Sequence, residues 1–371
     1  MRIGVPKEIK NNEFRVGLTP ASVADLVAAG HELFVETGAG MGIDCPDGAF
    51  RKAGAEILPT AAEVFAASDM IVKVKEPQPV EIELLEPRHI LFTYLHLAAE
   101  KPQTVGLMKS GATCIAYETV TSNSGALPLL KPMSEVAGRM SIQVGAHYLE
   151  KEQGGRGVLL GGVPGVAPAK VAILGGGVAG VNAAQMAVGM RADVTIYDIS
   201  NERLAELDMF FGSQIKTAYA SHAAIVNAVQ KAELVIGAVL VPGAAAPKLV
   251  TREMLKTMKR GSVLVDIAID QGGCFETSRA TTHADPVYKV EGVIHYCVAN
   301  MPGAVARTSA FALNNVTLPF VLKIAQLGAE EAMRRDPHLA NGLNVSDGKV
   351  RHEAVAEALE LAYEPALGRA D

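Results

Sequence analysis

A glycine-rich turn between an apolar run and a helical stretch most constrains how this chain can fold. The apolar run Val171–Leu174 leads into Gly175-Gly176-Gly177-Val178-Ala179-Gly180, and a helical stretch then continues to Arg191. A second β-branched run, Val194–Tyr197, follows and ends at Asp198. This order of strand, Gly-x-Gly-x-x-Gly, helix, strand and acid is typical of a dinucleotide-binding βαβ unit.

The three glycines and the acid have separate expected roles. Gly175 permits a tight turn, Gly177 lets a pyrophosphate approach the backbone, and Gly180 allows close packing of helix on strand. The Asp198 carboxylate suits ribose hydroxyls and repels a 2′-phosphate, which favours NAD over NADP. Arg203 could accommodate a phosphate, lie along the adenine or be an exposed helix residue. The alternative for the whole motif is a turn that serves the structure alone.

Short β-branched runs alternate with helical stretches along the whole chain, which favours an α/β fold with parallel sheets. At 371 residues the chain is longer than one core usually supports, so we expect two domains. We assign residues 1–130 to the first part of a substrate domain, 131–305 to an NAD-binding domain with its linking helix, and 306–371 to a return to the substrate domain. The predicted fold is therefore two Rossmann-like parallel-sheet domains, with the NAD-binding domain inserted into a discontinuous substrate domain.

The predicted elements follow from these patterns. Strands are predicted at Ile3–Val5, Glu32–Glu36, Met70–Lys75, His89–Leu95, Thr113–Tyr117, Val171–Leu174, Asp193–Tyr197, Leu234–Val239, Ser262–Ile269 and Val293–Val298. One helix is predicted to begin at the N-cap Thr19 and stop at Gly30. A long helix is predicted from about Ser134 to Glu152, after a break at residues 131–134, and a hairpin at residues 345–350.

Composition excludes several classes of protein. A net charge of −6 gives no basic surface for nucleic acid or for an anionic membrane. The start of the chain shows no secretory signal, and the apolar runs are shorter than a membrane span. The four cysteines lack metal-ligand spacing and are expected to be free thiols in a reducing cytoplasm, with no metal site; they are Cys45, Cys114, Cys274 and Cys297.

Ligands of parallel sheets bind beyond the carboxyl ends of the strands, so ionisable residues there are the candidates for chemistry. Lys75 ends the run Met70–Lys75 and could hold a carboxylate, or be an ordinary surface lysine. His96 follows a strand and could transfer a proton, or be a hydrogen-bonded structural histidine. Arg15, in the loop after the first strand, could bind a carboxylate bidentately or pair with Glu13 or Glu8.

Two acids complete this set of candidates. Glu118 follows the strand at Thr113–Tyr117 and could orient a lysine or arginine, or be a solvated acid. Asp270 ends the run that begins at Val263 and could face the ligand, or cap a turn. Two cations, a histidine and an acid around one ligand are what an α-amino or α-keto acid dehydrogenase requires.

Long sequence strings carry a family resemblance that covers essentially the whole chain. They are IGVPKEIKNNEFRVGLTP, VKVKEP, LFTYLHLAA, LLKPMSEVAGR, LGGGVAG, VIGAVLVPG, VLVDIAIDQGGCFE and YCVANMPGAV. On these strings the chain resembles the family that unites alanine dehydrogenases with the NAD-binding part of nicotinamide nucleotide transhydrogenase. The resemblance implies reversible oxidation of L-alanine to pyruvate and ammonia. The alternative is a transhydrogenase-type NAD-binding subunit without an amino-acid substrate.

The same resemblance assigns roles to individual residues. It implies that Arg15 and Lys75 bind the substrate carboxylate and that His96 and Asp270 are catalytic. It assigns cofactor contacts to Ser134, Val178, Asp198, Arg203, Val239, Leu240, Ile267, Ala268, Ile269, Asp270, Arg279, Val298, Ala299, Asn300 and Met301. The chain departs from some members at Ala220, where they have a serine that contacts the cofactor. The resemblance further implies a homohexamer.

Overall fold

The computed structural model describes residues 1–239 and 246–365. The chain divides into two compact units, of which the first comprises Met1–Met133 together with the residues from Val305 onwards. The second unit comprises Ser134–Ala304. Each unit is described separately below.

The strands of the described residues are numbered in chain order. They are β1 Arg2–Val5, β2 Glu32–Glu36, β3 Glu56–Leu58, β4 Met70–Val72, β5 Ile90–Thr93, β6 Thr113–Ala116, β7 Lys170–Leu174, β8 Asp193–Asp198, β9 Lys216–Tyr219, β10 Leu234–Gly237, β11 Val263–Asp266, β12 Val287–Val290, β13 Val293–Tyr296, β14 Leu343–Ser346 and β15 Lys349–Val350.

The α-helices are numbered in the same way. They are α1 Pro20–Ala28, α2 Asp47–Lys52, α3 Ala61–Ala67, α4 Pro79–Ile82, α5 Lys101–Ser110, α6 Lys131–Tyr148, α7 Val178–Gly189, α8 Asn201–Phe211, α9 His222–Lys231, α10 Arg252–Thr257, α11 Ala306–Leu327, α12 Ala329–Arg335, α13 Pro337–Ala340 and α14 Glu353–Leu359.

The first unit contains an eight-stranded sheet in the order β15-β14-β6-β5-β4-β1-β2-β3. The strands from β6 to β3 in that order run parallel, whereas β14 is antiparallel to both β6 and β15. Apolar side chains of strands and helices, such as Leu91, Leu107 and Val355, form a buried core. The carboxyl ends of β1, β4, β5 and β6 therefore lie side by side at one edge of the sheet.

The second unit contains a seven-stranded sheet in the order β12-β13-β11-β10-β7-β8-β9. All neighbouring strands are parallel except the edge pair β12 and β13. Its core includes Val235, Leu264 and Phe275, which are fully buried. The prediction of two Rossmann-like α/β domains with largely parallel sheets is thus confirmed.

Local sequence signals explain several of the elements. The Thr19 hydroxyl caps α1 by accepting the Ser22 N–H at 3.3 Å, with Pro20 in the first turn and Gly30 at φ 87° after the end. The predicted helix between Thr19 and Gly30 is confirmed. The predicted hairpin is also confirmed, since β14 and β15 pair across Asp347 and Gly348, which both have positive φ.

Three strands were absent from the sequence predictions, and each is a short strand near an edge of its sheet. They are β3, β9 and β12. Their side chains are partly exposed, so they lack the continuous apolar run that marks a buried parallel strand.

The predicted start of the long helix at Ser134 was wrong, because α6 begins at Lys131 and ends at Tyr148. The proline at position 132 was interpreted as a break. Proline lacks an N–H, but the N–H groups of the first helical turn have no intrahelical partner, so Pro132 is tolerated there.

Several predicted strands were too long at their carboxyl ends. The strand predicted at Met70–Lys75 ends at Val72, where the Val74 N–H donates to the Glu8 carboxylate at 2.7 Å. The strand predicted at Ser262–Ile269 ends at Asp266, whose own carboxylate accepts the Ala268 N–H at 3.1 Å. In both cases a buried carboxylate replaces a neighbouring strand as hydrogen-bond acceptor.

One helical stretch among the described residues, Met301–Leu327, is long and apolar enough to cross a membrane by length and composition, with a mean hydropathy of 1.2. Core helices of soluble proteins often have the same properties. This stretch contains Pro319 and the buried polar residues Asn314 and Thr317. The Asn314 carboxamide oxygen accepts the Thr19 N–H at 2.8 Å, as expected of a helix packed within the first unit.

Candidate functional site

In the first unit, Arg15 lies in the loop after β1 and is almost fully buried. Its Nε and Nη2 donate to the two carboxylate oxygens of Glu13 at 2.7 and 2.6 Å, and its Nη1 lies 3.1 Å from the Met133 sulfur. Burial lowers the pKa of Arg15, but the hydrogen bonds that it donates to Glu13 and the negative charge of Glu13 raise that pKa above its usual value. The guanidinium is therefore charged and fixed in orientation by its neighbour Glu13.

Close backbone packing holds the Arg15 loop against the end of β4. A Cβ at Gly17 would lie 2.3 Å from the Val72 carbonyl oxygen, so only glycine fits there. This contact brings the loop after β1 next to the segment that contains Lys75.

The structure distinguishes the two lysines that follow β4. Lys73 is fully buried, with its Nζ 3.0 Å from a Glu8 oxygen and 2.8 Å from a Glu81 oxygen. The Lys75 side chain is 12% exposed, and its Nζ lies 3.5 Å from a Glu76 oxygen. Lys73 is thus committed to buried acids, and Lys75 is the lysine with access to solvent.

His96 follows β5 in a left-handed backbone conformation, at φ 53°. Its imidazole is 46% exposed in its side chain and stacks on Tyr94, with the ring centroids 5.8 Å apart and the planes 7° apart. Glu118 accepts the backbone N–H of His96 at 2.6 Å and that of Leu95 at 3.1 Å. The same carboxylate lies 4.0 Å from His96 Nδ1.

Glu118 was expected either to orient a lysine or arginine or to be a solvated acid. Its described partners are instead the backbone and ring of the His96 segment, so it sets the position of the histidine. Tyr94 lies between the charged groups: burial raises its pKa well above the usual value, and the charge of Arg15 acts in the opposite direction. Its hydroxyl donates to the Leu129 carbonyl at 2.5 Å.

The first unit therefore brings four of the predicted residues to neighbouring strand ends. Arg15 follows β1, Lys75 follows β4, His96 follows β5 and Glu118 follows β6. Sequence reasoning missed Tyr94 and the buried contacts that join Glu8 and Glu81 to Lys73. Tyr94 lies only two residues before His96, so its place beside the histidine could have been noticed.

In the second unit, the glycine-rich turn has the geometry that its spacing predicts. Gly175 has φ +106°, and a Cβ at Gly180 would lie 1.9 Å from the Gly175 carbonyl oxygen. A Cβ at Gly177, the N-cap of α7, would meet nothing within 4 Å. The turn thus packs tightly on the strand side and is open at the helix N-terminus.

Asp198 ends β8 beside this turn. One of its carboxylate oxygens accepts the Gly176 N–H at 2.8 Å, and the other accepts the Ser200 N–H at 2.9 Å. Arg203 donates from Nε to the Gly176 carbonyl at 2.7 Å. Ala220 follows β9 and donates its N–H to the Asp198 carbonyl at 2.9 Å. The acid and the arginine therefore bind the backbone N–H and the carbonyl oxygen of the same residue, Gly176.

The sequence suggested that Asp270 ends a strand, but in the structure it does not. It lies in a single 3₁₀ turn, Ile269–Gln271, four residues beyond the end of β11, and its side chain is exposed. The fully buried Asp266 holds this loop by accepting the N–H groups of Ala268 and Cys274 at 3.1 and 2.8 Å. Burial raises the pKa of Asp266, and these bonds partly offset that effect.

Most of the other predicted cofactor residues follow strands of the second sheet. Asn300 has φ 61°, and its carbonyl oxygen lies 3.1 Å from His283 Nε2. The Arg279 guanidinium lies 4.0 Å from the centroid of the Tyr288 ring. The remaining positions are Ser134 in α6, Val239 after β10, Ile267–Asp270 after β11 and Val298–Met301 after β13. Leu240 lies outside the described residues.

Two further findings concern other kinds of site. Within residues 1–239 and 246–365, no group of three or more His, Cys, Asp or Glu side chains could hold a metal ion. The four cysteines are free, as the spacing predicted, and each of them is buried. A cavity of about 230 Å³ in the second unit contains none of the predicted site residues; it is lined by Gln143, Val144, His147, Tyr148, His283, Pro286 and Tyr296.

The open glycine turn of the second unit and the carboxylate at the next strand end are typical of nucleotide-binding Rossmann-fold oxidoreductases. The chain belongs to that class. Within that class, the chain belongs to the alanine dehydrogenase/PNT family. The model of the family's N-terminal domain matches residues 4–137, and that of its C-terminal domain matches residues 141–353.

Individual relatives agree with this assignment. An alanine dehydrogenase of Halomonas elongata is 58% identical over 363 residues, covering 98% of each chain. A solved L-alanine dehydrogenase is 54% identical, with a TM-score of 0.95 over 97% of this chain and 99% of that one. A solved transhydrogenase of Sinorhizobium meliloti is 27% identical, with a TM-score of 0.81 over 95% and 100% of the two chains.

Proposed function

We propose that this chain catalyses the reversible NAD-dependent oxidation of L-alanine to pyruvate and ammonia. The observation that carries the proposal is the row of Arg15, Lys75 and His96 at the ends of neighbouring strands in the first unit. This row has the charges and the acid–base group that an amino acid requires. Relatives more than 50% identical over nearly the full chain are alanine dehydrogenases, which supports the same substrate.

The residues of the second unit fit a nicotinamide dinucleotide. The open space at Gly177 and the N-terminus of α7 suit a pyrophosphate, and the Asp198 carboxylate suits ribose hydroxyls and disfavours a 2′-phosphate. When bound, the nicotinamide accepts a hydride from substrate carbon. The remaining proposed contacts are Ser134, Gly175, Val178, Ala179, Gly180, Arg203, Val239, Leu240, Ile267, Ala268, Ile269, Asp270, Arg279, Val298, Ala299, Asn300 and Met301.

Arg15 and Lys75 are proposed to bind the substrate carboxylate. Arg15 and Glu13 together carry no net formal charge, whereas Glu76 is shared between Lys75 and Lys10, so the lysines keep one net positive charge that attracts an anion. The planar guanidinium, held by Glu13, fixes the direction of approach. Binding in one orientation aligns the Cα–H bond of alanine for hydride transfer.

His96 and Asp270 are the proposed catalytic groups. Once the amino group of alanine has lost its ammonium proton to solvent, loss of hydride from Cα leaves an iminium, and His96 takes a proton from the water that attacks it. The resulting carbinolamine collapses to pyruvate and ammonia. Asp270 would stabilise the cationic intermediate or position the amino group. The balanced reaction consumes zwitterionic alanine, water and oxidised cofactor and yields pyruvate, ammonium, reduced cofactor and a proton.

The test is a mixture of the protein with NAD⁺ and L-alanine at alkaline pH, followed by absorbance at 340 nm. The proposal expects NADH to accumulate and the reaction with NADP⁺ to be much slower. A transhydrogenase-type subunit, the alternative function, would produce no NADH from alanine. That result would reject the proposal.

We propose in addition that the chain acts in the cytoplasm as a homohexamer that binds neither nucleic acid nor membrane. The net charge of −6 supports the last two points, and the family resemblance supports the oligomer. Light scattering after size exclusion should give six times the mass of the chain. A monomer would reject the hexamer but leave the proposed reaction standing.

A further inference from the structure

Three charged side chains are buried together behind the row of candidate residues in the first unit. Lys73 has no exposed surface, and the Glu8 and Glu81 side chains are each 2% exposed. The Lys73 Nζ lies between their carboxylates, at 3.0 and 2.8 Å. This cluster, Glu8–Lys73–Glu81, is called the buried triad below.

Such a triad is an unusual use of core volume. Removing charges from water costs several kcal/mol per ion, and apolar residues of similar size often give equal or greater stability. Burial accordingly raises the pKa of Glu8, although the neighbouring Lys73 acts against this effect. This free-energy cost of burial suggests that the triad has a role that apolar side chains could not fill.

Glu8 has a second set of contacts, and they point to Lys75. Its Oε1 accepts the Val74 N–H at 2.7 Å and lies 3.4 Å from the Lys75 N. On the other side, the Thr93 hydroxyl donates to the Lys75 carbonyl at 3.0 Å. Because β4 ends at Val72, these bonds hold the backbone of Lys75 beyond the end of the strand.

We infer that Glu8, held in place by Lys73 and Glu81, is a positioning residue for Lys75. The inference rests on the proposed function, in which Lys75 binds the substrate carboxylate. Glu8 does not touch substrate in this account. It sets the backbone from which the Lys75 ammonium extends, and a displacement of about 1 Å at a binding group can lower rates about a hundredfold.

The chemistry of the position requires a carboxylate. Glu8 faces the Lys73 ammonium with one oxygen and the Val74 N–H with the other, and both partners are donors. A glutamine would place its NH₂ group against one of these two donors in either orientation. Glu8→Gln therefore disrupts one of these two contacts while conserving the volume of the side chain.

A matched control, Glu233, lies in the second unit at the amino ends of two strands. Glu233 likewise joins a lysine, Lys259, to a backbone N–H, that of Lys170, which it accepts at 2.7 Å. It lies at the amino ends of β7 and β10, whereas the proposed chemistry lies at the carboxyl ends. Glu233→Gln should lower the melting temperature and leave the KM for pyruvate within about twofold of the wild type.

The experiment is a double-mutant cycle on the full-length enzyme with Glu8→Gln and Lys75→Ala. Glu8→Gln is expected to raise the KM for pyruvate and alanine about tenfold, with the KM for NADH unchanged. In the Lys75→Ala background, Glu8→Gln should add less than about a further twofold, because its effect passes through Lys75.

Other outcomes overturn the inference in distinguishable ways. Wild-type KM values in a folded Glu8→Gln variant reject the positioning role of Glu8. The same holds if the effects of Glu8→Gln and Lys75→Ala on KM multiply. Neither result bears on the proposed role of Lys75. If Lys75→Ala itself leaves the KM for pyruvate unchanged, the proposed role of Lys75 fails and the inference fails with it. If Glu8→Gln does not fold, the isosteric variant Thr93→Val replaces it, because the Thr93 hydroxyl holds the same backbone segment. The KM for pyruvate is then expected to rise about threefold or more. An unchanged KM would overturn the inference.

Discussion

His96 is held in a backbone conformation that few residues other than glycine adopt. A left-handed conformation costs a non-glycine residue about 1–3 kcal/mol, and such residues persist where the surroundings determine them. Here Glu118 accepts the N–H groups of Leu95 and His96, and Tyr94 stacks against the ring. The result is an imidazole that is fixed at its base and accessible at its edge.

Removal of this imidazole should affect the chemistry and leave cofactor binding unchanged. General acid–base catalysis contributes about 10²–10⁴-fold, so His96→Ala is expected to lower kcat by that factor. The dissociation constant for NADH, measured by fluorescence, should stay within about twofold, because none of the proposed cofactor contacts is altered. His147→Ala is the control, since that side chain has a similar exposure of 50% and no proposed role. Wild-type turnover in His96→Ala would remove His96 from the mechanism.

At the scale of elements, the N-cap and the first turn of α7 contain two glycines with opposite surroundings. A Cβ at Gly180 would overlap the Gly175 carbonyl, whereas a Cβ at Gly177 would extend into open space. Gly180 therefore allows the helix to pack closely on the strand. Gly177 leaves room beside the helix N-terminus.

This contrast predicts different results for two alanine substitutions. Gly180→Ala should destabilise the protein by about 1–3 kcal/mol, because the helix must move off the strand. Gly177→Ala should leave the melting temperature nearly unchanged but weaken NADH binding about tenfold or more, because the methyl group occupies the proposed phosphate space. Calorimetry and titration measure the two effects. Normal NADH binding by Gly177→Ala would contradict the proposed cofactor position.

Strand β13 contains a histidine whose buried environment predicts a pH effect on stability. His295 is fully buried, with Thr277 Oγ1 2.7 Å from Nε2 and the Val293 carbonyl 3.2 Å from Nδ1. Burial is the main cause that lowers its pKa from 6.5 to about 4, and the charges of Arg252 and Arg279 act in the same direction. The unfolded chain therefore binds a proton near neutrality that the native protein does not bind.

Stability should accordingly fall as the pH drops from about 6.5 to about 4. A shift of this size corresponds to about 3 kcal/mol when the whole interval is crossed. His295→Gln has no group that titrates there and should lose less stability than the wild type between pH 7 and pH 4.5. Melting temperatures of both proteins at the two pH values test this. Equal losses would show that His295 does not contribute.

At the scale of the whole molecule, the sequence predicts elements that have a local signal. The strand ends beside Gly175 and Asp198 and the cap at Thr19 follow from neighbouring residues alone. The buried triad could not be predicted, because Glu8 and Lys73 are 65 residues apart and only the fold brings them together. Lys73 also alternates with Lys75 in the sequence, and nothing local shows which of the two is buried.

The short edge strands were missed for a related reason. A buried parallel strand is marked by a run of apolar residues, whereas β9 reads Lys-Thr-Ala-Tyr and has exposed or half-exposed side chains throughout. Its place in the sheet comes from pairing with β8, a contact between distant residues. The position of Asp270 was misread because the buried Asp266 turns the chain away before the apolar run ends.

In the proposed reaction, hydride passes directly from Cα of L-alanine to the cofactor. The most direct test uses L-alanine with deuterium at Cα, after which the reduced cofactor is isolated and examined by proton NMR. We predict deuterium at C4 of the nicotinamide ring, in an amount equal to the pyruvate formed. Reduced cofactor that carries only solvent hydrogen at C4, or no reduced cofactor at all, would contradict the account.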